Sequence, residues 1–437
     1  MALYHLGLDD TDSLKMGCTT YIGALLIGKL QKDSRFVDYP NLIRLNPNIP
    51  WKSRGNAGIC LRFESKRGPD DILGMAFELT QDYRDRNDKK NQPGIALLEG
   101  KVPPEIKEFG QRALYDVLTL DEAKSTAHKY NVKCRTIRGG LGLVGALASI
   151  GNTLEQDHTF ELVVYRGRPL WGKERDVDFE SVVEFDKSTT PKTFNNVDYE
   201  EKRLLITPHG PDPILFAVRG EDPETVMSAL QKIKFKGGER WVVWRSNQGT
   251  ASHLTQLKPI NELKPYQAAV IEGEIYKNPV TIQGGHVIGF LKDGTGKVDI
   301  AGYEPSGNFR NVVRQLIPKD RIRAYGGVRL LDDGRLTFNL EKIEVLSLVK
   351  TYRQNPSCPK CGKKMKSEGK NKGFQCKKCG IKSDNIVEEH MLRTLGPDMY
   401  LPPPRAMRHL TKPAQRYGQE KAAWDEKVGT FHGLLMA

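Results

Sequence analysis

The chain has 437 residues, 67 Lys/Arg against 54 Asp/Glu for a formal net charge of +13, and 38% hydrophobic residues. One core rarely grows past ~250–300 residues, so several domains are expected. No stretch approaches the ~20 apolar residues of a membrane helix. Seven cysteines in a chain this long exclude a disulfide-built scaffold. The N-terminus shows no basic start leading into a long apolar run, and a reducing cytoplasmic compartment is expected.

Residues 3–8 read as an apolar strand. Asp9-Asp10-Thr11-Asp12-Ser13 follows, and Gly17-Cys18-Thr19-Thr20 leads into an apolar stretch, 21–30, of helical length. Three carboxylates so close repel one another unless a cation or bases offset them. Mg²⁺ uses one or two carboxylates plus substrate phosphates, and a helix N-terminus offers N–H groups to an anion. The plainer alternative is a turn, with Thr19 or Thr20 as helix cap.

An Asn/Pro turn at 46–51 leads to Lys52-Ser53-Arg54-Gly55-Asn56-Ala57 and a strand at 58–64. Residues 69–83 read as a helix, 94–98 as a strand, and Pro103/Pro104 open a helix to about 118. These predict an α/β or α+β first domain over 1–129. A second unit, 130–250, reads strand 132–137, a glycine-rich helix start from Arg138, strand 161–165, a long polar stretch, strand 214–218, helix 223–233 and strand 240–244. That order, β-α-β-β-α-β, is the ferredoxin-like pattern. Strands at 268–276, 286–292, 297–301, 321–330 and 335–345, with a helix at 309–317, predict an OB-fold over 265–346. Another small β-barrel is the alternative.

Cys358-x-x-Cys361 and Cys376-x-x-Cys379 predict a zinc ribbon over 350–385. Two such turns complete a tetrahedral Zn²⁺ site, and four thiolates leave no open position, so the zinc is structural. Residues 350–382 hold eleven Lys/Arg and one acid, Glu368, a net +10. That is the footprint of a polyanion, most simply a nucleic acid. The C-terminal segment, 386–437, is charge-balanced and holds one helix candidate.

Arg138-Gly139-Gly140-Leu141-Gly142-Leu143-Val144-Gly145 could cradle an anion or serve close helix–strand packing. The segment 292–297 reads as a hairpin turn. Arg245-Ser246-Asn247-Gln248, just before the barrel, could contact nucleic acid.

The ordered set resembles the archaeal agmatidine synthetases. The residues that carry the likeness are Gly7-Leu8-Asp9-Asp10-Thr11-Asp12-Ser13 with Cys18-Thr19-Thr20, Pro50 to Ala57, Arg138 to Ala146, Gly210-Pro211-Asp212-Pro213, Arg245 to Thr250 and the four cysteines. It covers essentially the whole chain except the turn after Ser13 and the last fifty residues. It implies a multidomain α+β protein, with a kinase-like α/β domain first and ferredoxin-like, OB and zinc-ribbon domains after it, that consumes ATP, with Mg²⁺, to attach agmatine to C2 of the wobble cytidine in an isoleucine tRNA with a CAU anticodon, so that the tRNA reads AUA. It implies autophosphorylation at Thr19, with Asp9, Asp10 and Asp12 binding metal and positioning phosphates. Thr20, Lys52, Arg54, Asn56, Arg138, Gly139 and Gly140 are then expected at the nucleotide, and Arg245, Asn247, Gln248, Lys363, Lys364 and Lys377 at the tRNA. Phosphorylating the C2 oxygen would turn it into a leaving group for an attacking amine, a reaction of positioning and charge neutralisation, on a base splayed from its stack. Two competing readings remain: a non-catalytic OB/zinc-ribbon nucleic-acid binder, which would turn over no ATP, and a small-molecule kinase, which would not need the basic ribbon.

Overall fold

The computed structural model describes residues 1–421 apart from positions 14, 53, 370 and 371. β1 (Ala2–Asp9), α1 (Thr19–Leu30), β2 (Asn41–Arg44), β3 (Ala57–Ser65), α2 (Pro69–Tyr83) and β4 (Gly94–Glu99) form a β-α-β-β-α-β unit. Its strand order is β4-β1-β3-β2, with every neighbour antiparallel. β1 pairs on both sides, so it is apolar and almost continuously buried up to Asp9. α1 buries Tyr21, Ile22, Ala24, Leu26, Ile27 and Leu30. α3 (Pro104–Arg112), α4 (Leu120–Lys129) and, after the short strand β5 (Lys133–Thr136), α5 (Leu143–Gly151) follow, and the three helices share one core with Ile43, Cys60 and Leu98 of the sheet.

The second unit has the same topology. β6 (Thr159–Arg166), α6 (Phe179–Thr189), β7 (Thr193–Phe194), β8 (Ile214–Gly220), the helices α7 (Pro223–Met227) and α8 (Ala229–Lys232), and β9 (Gly238–Ser246) stand in the order β9-β6-β8-β7, again antiparallel. The sequence shows no repeat, yet the architecture is used twice. The two units join edge to edge. β9 pairs in parallel with β2, Arg245 opposite Asn41 and Ser246 opposite Leu42, making one ten-stranded sheet.

Two sequence expectations are corrected. The sequence alone puts the strand at 132–137 and the helix after it in the second unit. The structure pairs Lys133–Thr136 with β4 and lays α5 across β1, β3 and β4. The ferredoxin-like pattern therefore begins at β6, because α5, apolar on nearly every face, needs the first unit's sheet as well as α3 and α4 to bury it. The helix expected from Pro103 to about 118 ends at Arg112, and α4 follows. α4 opens on a capping box: Thr119 Oγ1 accepts from Glu122 N at 3.2 Å, and Thr119 N donates to Glu122 Oε2 at 2.8 Å.

β10 (Ala268–Thr281), β11 (Val287–Lys292), β12 (Lys297–Gly302), β13 (Arg321–Leu330) and β14 (Leu336–Ser347) make a five-stranded barrel, closed by parallel pairing of β12 with β14. α9 (Phe309–Gln315) lies between β12 and β13 in sequence and buries Phe309, Val312 and Val313 in the barrel core. This is the OB arrangement. The cysteine module follows as short hairpins at Lys366–Ser367, Phe374–Gln375 and Lys382–Ser383.

After the module the chain returns across the barrel and the sheet. Met399–Tyr400 pairs with β14, Arg405 bonds Asp198 and Glu200, and the fully buried Arg416 bonds Asp157 and Glu221. Among the described residues of this segment there are 3₁₀ turns and no α-helix, and 422–437 lie outside the described residues.

Candidate active site

A cavity of about 930 Å³ opens where the two units meet, floored by the end of β1 and walled by both halves of the sheet. Asp9, Asp10, Asp12, Thr19, Thr20, Lys52, Arg54 and Asn56 all line it. β1 stops there because Asp10 takes a left-handed conformation, φ +59°, one that Asp adopts more readily than most residues. Each aspartate has one oxygen committed to the protein. Asp9 Oδ1 accepts from Asp10 N at 2.6 Å, Asp10 Oδ2 from Gln92 N at 2.9 Å, and Asp12 Oδ1 from Thr19 N at 2.6 Å. Asn91 ties the loop down, donating to the carbonyls of Asp10 at 2.8 Å and Asp12 at 3.1 Å.

Burial, with Asp10 beside it, pushes the Asp9 carboxyl well up. Burial also raises Asp10 to about 7, with Asp12 and Asp88 adding to the rise against the opposing bond from Gln92 N. Carboxyls held this way favour a cation. The three do not close on one point: among the described residues, the only group of three or more potential ligands that converges is the cysteine cluster. An all-protein carboxylate cage is therefore absent, and the second oxygens of Asp9 and Asp10 accept no hydrogen bond from the described residues. That donor set fits Mg²⁺, which keeps waters and substrate phosphates among its ligands.

Thr19 opens α1 but does not cap it. The N-cap position is Cys18, with no side-chain cap, and the acceptor for the helix N-terminus is Asp12 from seven residues upstream. Thr19 Oγ1 lies 3.0 Å from Asp12 Oδ1 and 2.9 Å from Thr11 Oγ1 and is 4% exposed. The Thr19 hydroxyl thus stands beside a carboxylate that can accept its proton, on the wall of the cavity.

Cationic side chains stand beside the carboxylates. Arg54 Nε bonds the carbonyl of Ser13 at 2.9 Å, and its Nη1 lies 3.7 Å from Asp212 and 3.9 Å from Asp12. Lys52 lines the mouth and is lowered by burial and by Arg408. Asn56 fixes the turn, donating to the carbonyl of Asn46 at 2.7 Å. Arg44, Glu161, Arg219 and His409, which no motif in the sequence singles out, also line the cavity. Their signal was a lone polar or charged residue in an apolar strand (Glu161 in Thr159–Arg166, Arg44 closing Asn41–Arg44). His409 had none, coming from the returning segment.

Several expected residues stand elsewhere. Arg138 is exposed and donates to the carbonyls of Asp88 and Arg86, and Gly139 and Gly140 sit against Gln92 and Thr136 rather than on the cavity wall. The glycine run serves packing: a Cβ on Gly145 would fall 1.7 Å from Asp9 Oδ2. Arg245, Asn247 and Gln248 are 1%, 3% and 0% exposed, so they cannot read RNA from the surface. They sit in the seam between the units, where Arg245 bonds Asp38, Asn247 bonds the Arg44 backbone and Gln248 bonds Glu161. Lys363, Lys364 and Lys377 are exposed on the cysteine module, far from the cavity lining.

The four cysteine sulfurs lie within 4.8 Å of one another. Zn–S bonds of ~2.3 Å in a tetrahedron put sulfurs about 3.8 Å apart, so the set fits zinc. Both knuckles turn alike: Gly362 N bonds Cys358 O at 2.9 Å and Gly380 N bonds Cys376 O at 2.8 Å, with φ +67° and +69°.

Family models match three stretches of this chain: the TiaS TCKD domain at 5–76, the TiaS FLD domain at 140–253 and the TiaS C-terminal zinc ribbon domain at 355–395. An isoleucine-tRNA 2-agmatinylcytidine synthetase, TiaS, of Methanosarcina mazei is 40% identical over 420 residues, 94% of this chain and 97% of that one. That of Methanocaldococcus jannaschii is 38% identical over 424 residues, 95% and 99% of the two chains. A solved complex of TiaS with its isoleucine tRNA and ATP superposes with TM-score 0.84 at 34% identity, covering 95% of this chain and 98% of that one. A complex of TiaS with the same tRNA, AMPCPP and agmatine gives 0.82 at 32%, with the same shares.

Proposed function

The chain belongs to the TiaS family of isoleucine-tRNA 2-agmatinylcytidine synthetases, and from that premise we propose how its own residues carry the reaction. It is an enzyme that conjugates agmatine to its isoleucine tRNA at the expense of ATP. The observation that carries the residue assignment is the pairing of Thr19 Oγ1 with Asp12 Oδ1 at 3.0 Å, at the carboxylate end of the cavity.

In this reading Asp12 accepts the proton of Thr19 as the hydroxyl takes a phosphoryl group. Mg²⁺, held by the unbonded oxygens of Asp9 and Asp10, would neutralise the phosphates. Arg54 and Lys52 hold phosphate oxygens, positioning the phosphoryl group and neutralising its charge. The wobble cytidine of the CAU anticodon enters the cavity splayed from its neighbours, its C2 oxygen is phosphorylated, and the amine of agmatine displaces phosphate at C2, which lets the tRNA read AUA. The exposed lysines of the zinc ribbon, Lys363, Lys364 and Lys377 among them, contact the tRNA backbone. The cytoplasm, where tRNA and ATP meet, is the compartment this implies. A non-catalytic binder would leave the buried carboxylates and the cavity without purpose.

Incubation with ATP, agmatine and the unmodified isoleucine tRNA, followed by nucleoside mass analysis, tests it. The expected product is cytidine carrying agmatine in place of the C2 oxygen, and an unaltered nucleoside would overturn the reading.

A further inference from the structure

Arg44 closes β2 at the seam between the two units and lines the cavity. Its backbone is clamped from both sides by one buried side chain of the second unit. Arg44 N donates to Asn247 Oδ1 at 2.8 Å, and Asn247 Nδ2 donates to Arg44 O at 2.9 Å. Asn247 thus continues the parallel β9–β2 pairing by one residue, which is why the loop after β9 is asparagine there and buried. The guanidinium is treated differently. Among the described residues it makes no ion pair and no hydrogen bond, and its Nε is enclosed without a partner. Glu161, the carboxylate that acts on it most, is committed to Arg219 and Gln248. Gly55 gives the head group room: a Cβ there would lie 2.6 Å from Arg44 Nη1 and 3.1 Å from the His409 ring.

The side chain as a whole is partly exposed and lines the cavity, and a guanidinium there without a paired counter-charge gains no stability from an ion pair. Backbone clamping, a glycine beside the head group and an orphaned nitrogen together describe a cation held ready for an anion that arrives with a substrate. Agmatine is a cation and cannot supply it. The anion that reaches this depth, between the Asp9–Asp12 end and the Arg54 wall, is a phosphate. The geometry points to Arg44 as a phosphate-binding residue for the nucleotide triphosphate, with Asn247 as the residue that positions it. The inference rests on the ATP-dependent reading of the site. Burial presses the guanidinium down to about 10, so it stays charged at neutral pH.

The consequence separates function from structure. A structural arginine lowers the melting temperature when removed. An unpaired one waiting for ligand does not, because Arg44→Met takes away a charge with no partner and keeps the aliphatic stem. Wild-type protein is titrated first with ATP and Mg²⁺ by calorimetry and by thermal shift. If it fails to bind, the ATP reading of the cavity fails, whatever Arg44 does. Given wild-type binding, Arg44→Met should raise the ATP Kd at least tenfold and abolish most of the ATP-induced thermal shift. It should melt, without ligand, at or above the wild-type temperature. Arg44→Lys should recover part of the affinity, since it restores charge without the planar fork. Asn247→Ala should weaken ATP less than Arg44→Met does, with kcat falling more than KM rises. An unchanged ATP Kd in Arg44→Met overturns the inference. So does a variant that binds ATP normally but loses tRNA affinity, which would give Arg44 to the RNA backbone instead.

Discussion

The two β-α-β-β-α-β units place opposite chemistry at the same point of their topology. In the first, the connection from the first strand to the first helix carries Asp9, Asp10, Asp12 and Thr19 into the cavity. In the second, the matching connection carries Arg166 and Arg175. Arg166 bonds the carbonyls of Lys173 at 2.7 Å and Asp212 at 3.1 Å, and Arg175 bonds those of Gly210 and Ile214 at 2.8 Å. That loop braces the 210–214 turn. Even the helix starts differ. α6 is capped locally, Asp178 Oδ1 accepting from Ser181 N at 2.8 Å, whereas α1 is capped by Asp12, which holds the Thr19 hydroxyl as well. A strand–loop–helix corner is a place where a site can be built, and the side chains decide whether it is.

The sharpest way to break that comparison is to neutralise both aspartates. Asp12→Asn should reduce agmatine conjugation by at least ~10³-fold, as loss of a catalytic group typically does. Asp178→Asn should cost at most about 1 kcal/mol of stability and leave turnover intact. Equal losses of activity would show that the corner geometry, not the carboxylate, matters. Thr19→Ala should abolish labelling by γ-labelled ATP while changing stability little, because its backbone N–H still reaches Asp12; Thr19→Ser should retain some label. If Thr19→Ala keeps the label, the nucleophile is another hydroxyl.

Gly145→Ala comes next. The added methyl collides with Asp9 Oδ2, so it should cost ~1–3 kcal/mol and lower turnover with it. A stable, fully active variant would mean that Asp9 need not hold its place.

What was legible in the sequence follows from what is local. β1, α1 and the carboxylates were readable because a buried strand ending in charge is a contrast within a dozen residues. The cysteine pairs and the barrel strands were readable for the same reason. Arg44 and Glu161 were not, since each is one charge in an apolar strand and its meaning lies in the partner unit. Arg245, Asn247 and Gln248 looked like an exposed polar loop, and only the edge-to-edge joining of two sheets buries them. That α5 packs on the first unit's sheet was not legible either, because its apolar faces do not say which sheet they cover. The topological repeat left no trace in sequence, because one unit's corner carries carboxylates into the cavity and the other's braces a neighbouring turn.

Zinc should separate the cavity from the RNA grip. Chelation, or Cys376→Ser, should unfold the ribbon, since metal binding supplies much of the folding energy of so small a module. tRNA affinity should fall about tenfold with a shallower salt dependence, while ATP binding by the cavity holds. Parallel loss of ATP binding would show that the ribbon and the sheet are not separable.

The smallest effect is a slope. Asp10 titrates near 7 in the folded chain against 3.8 for an ordinary Asp side chain, with burial the main cause. Between those values the folded state holds more protons than the unfolded one, so stability falls as pH rises from about 4 to about 7 and this contribution levels off above. Asp10→Asn removes that term: it should flatten the decline by up to ~1.4 kcal/mol per pH unit near pH 5.5 and make the protein relatively more stable at pH 7. Mg²⁺ with ATP should flatten the wild-type slope too, because a bound cation favours the charged carboxyl and releases its proton. Melting curves across pH 4–8, with and without Mg²⁺ and ATP, read both. The second unit's corner has arginines where Asp10 stands, so Arg175→Gln should leave this slope in place. If it removes the slope as well, the pH response belongs to the shared wall at Asp212, which burial also raises against Arg54 and Arg175, and not to the carboxylate corner alone.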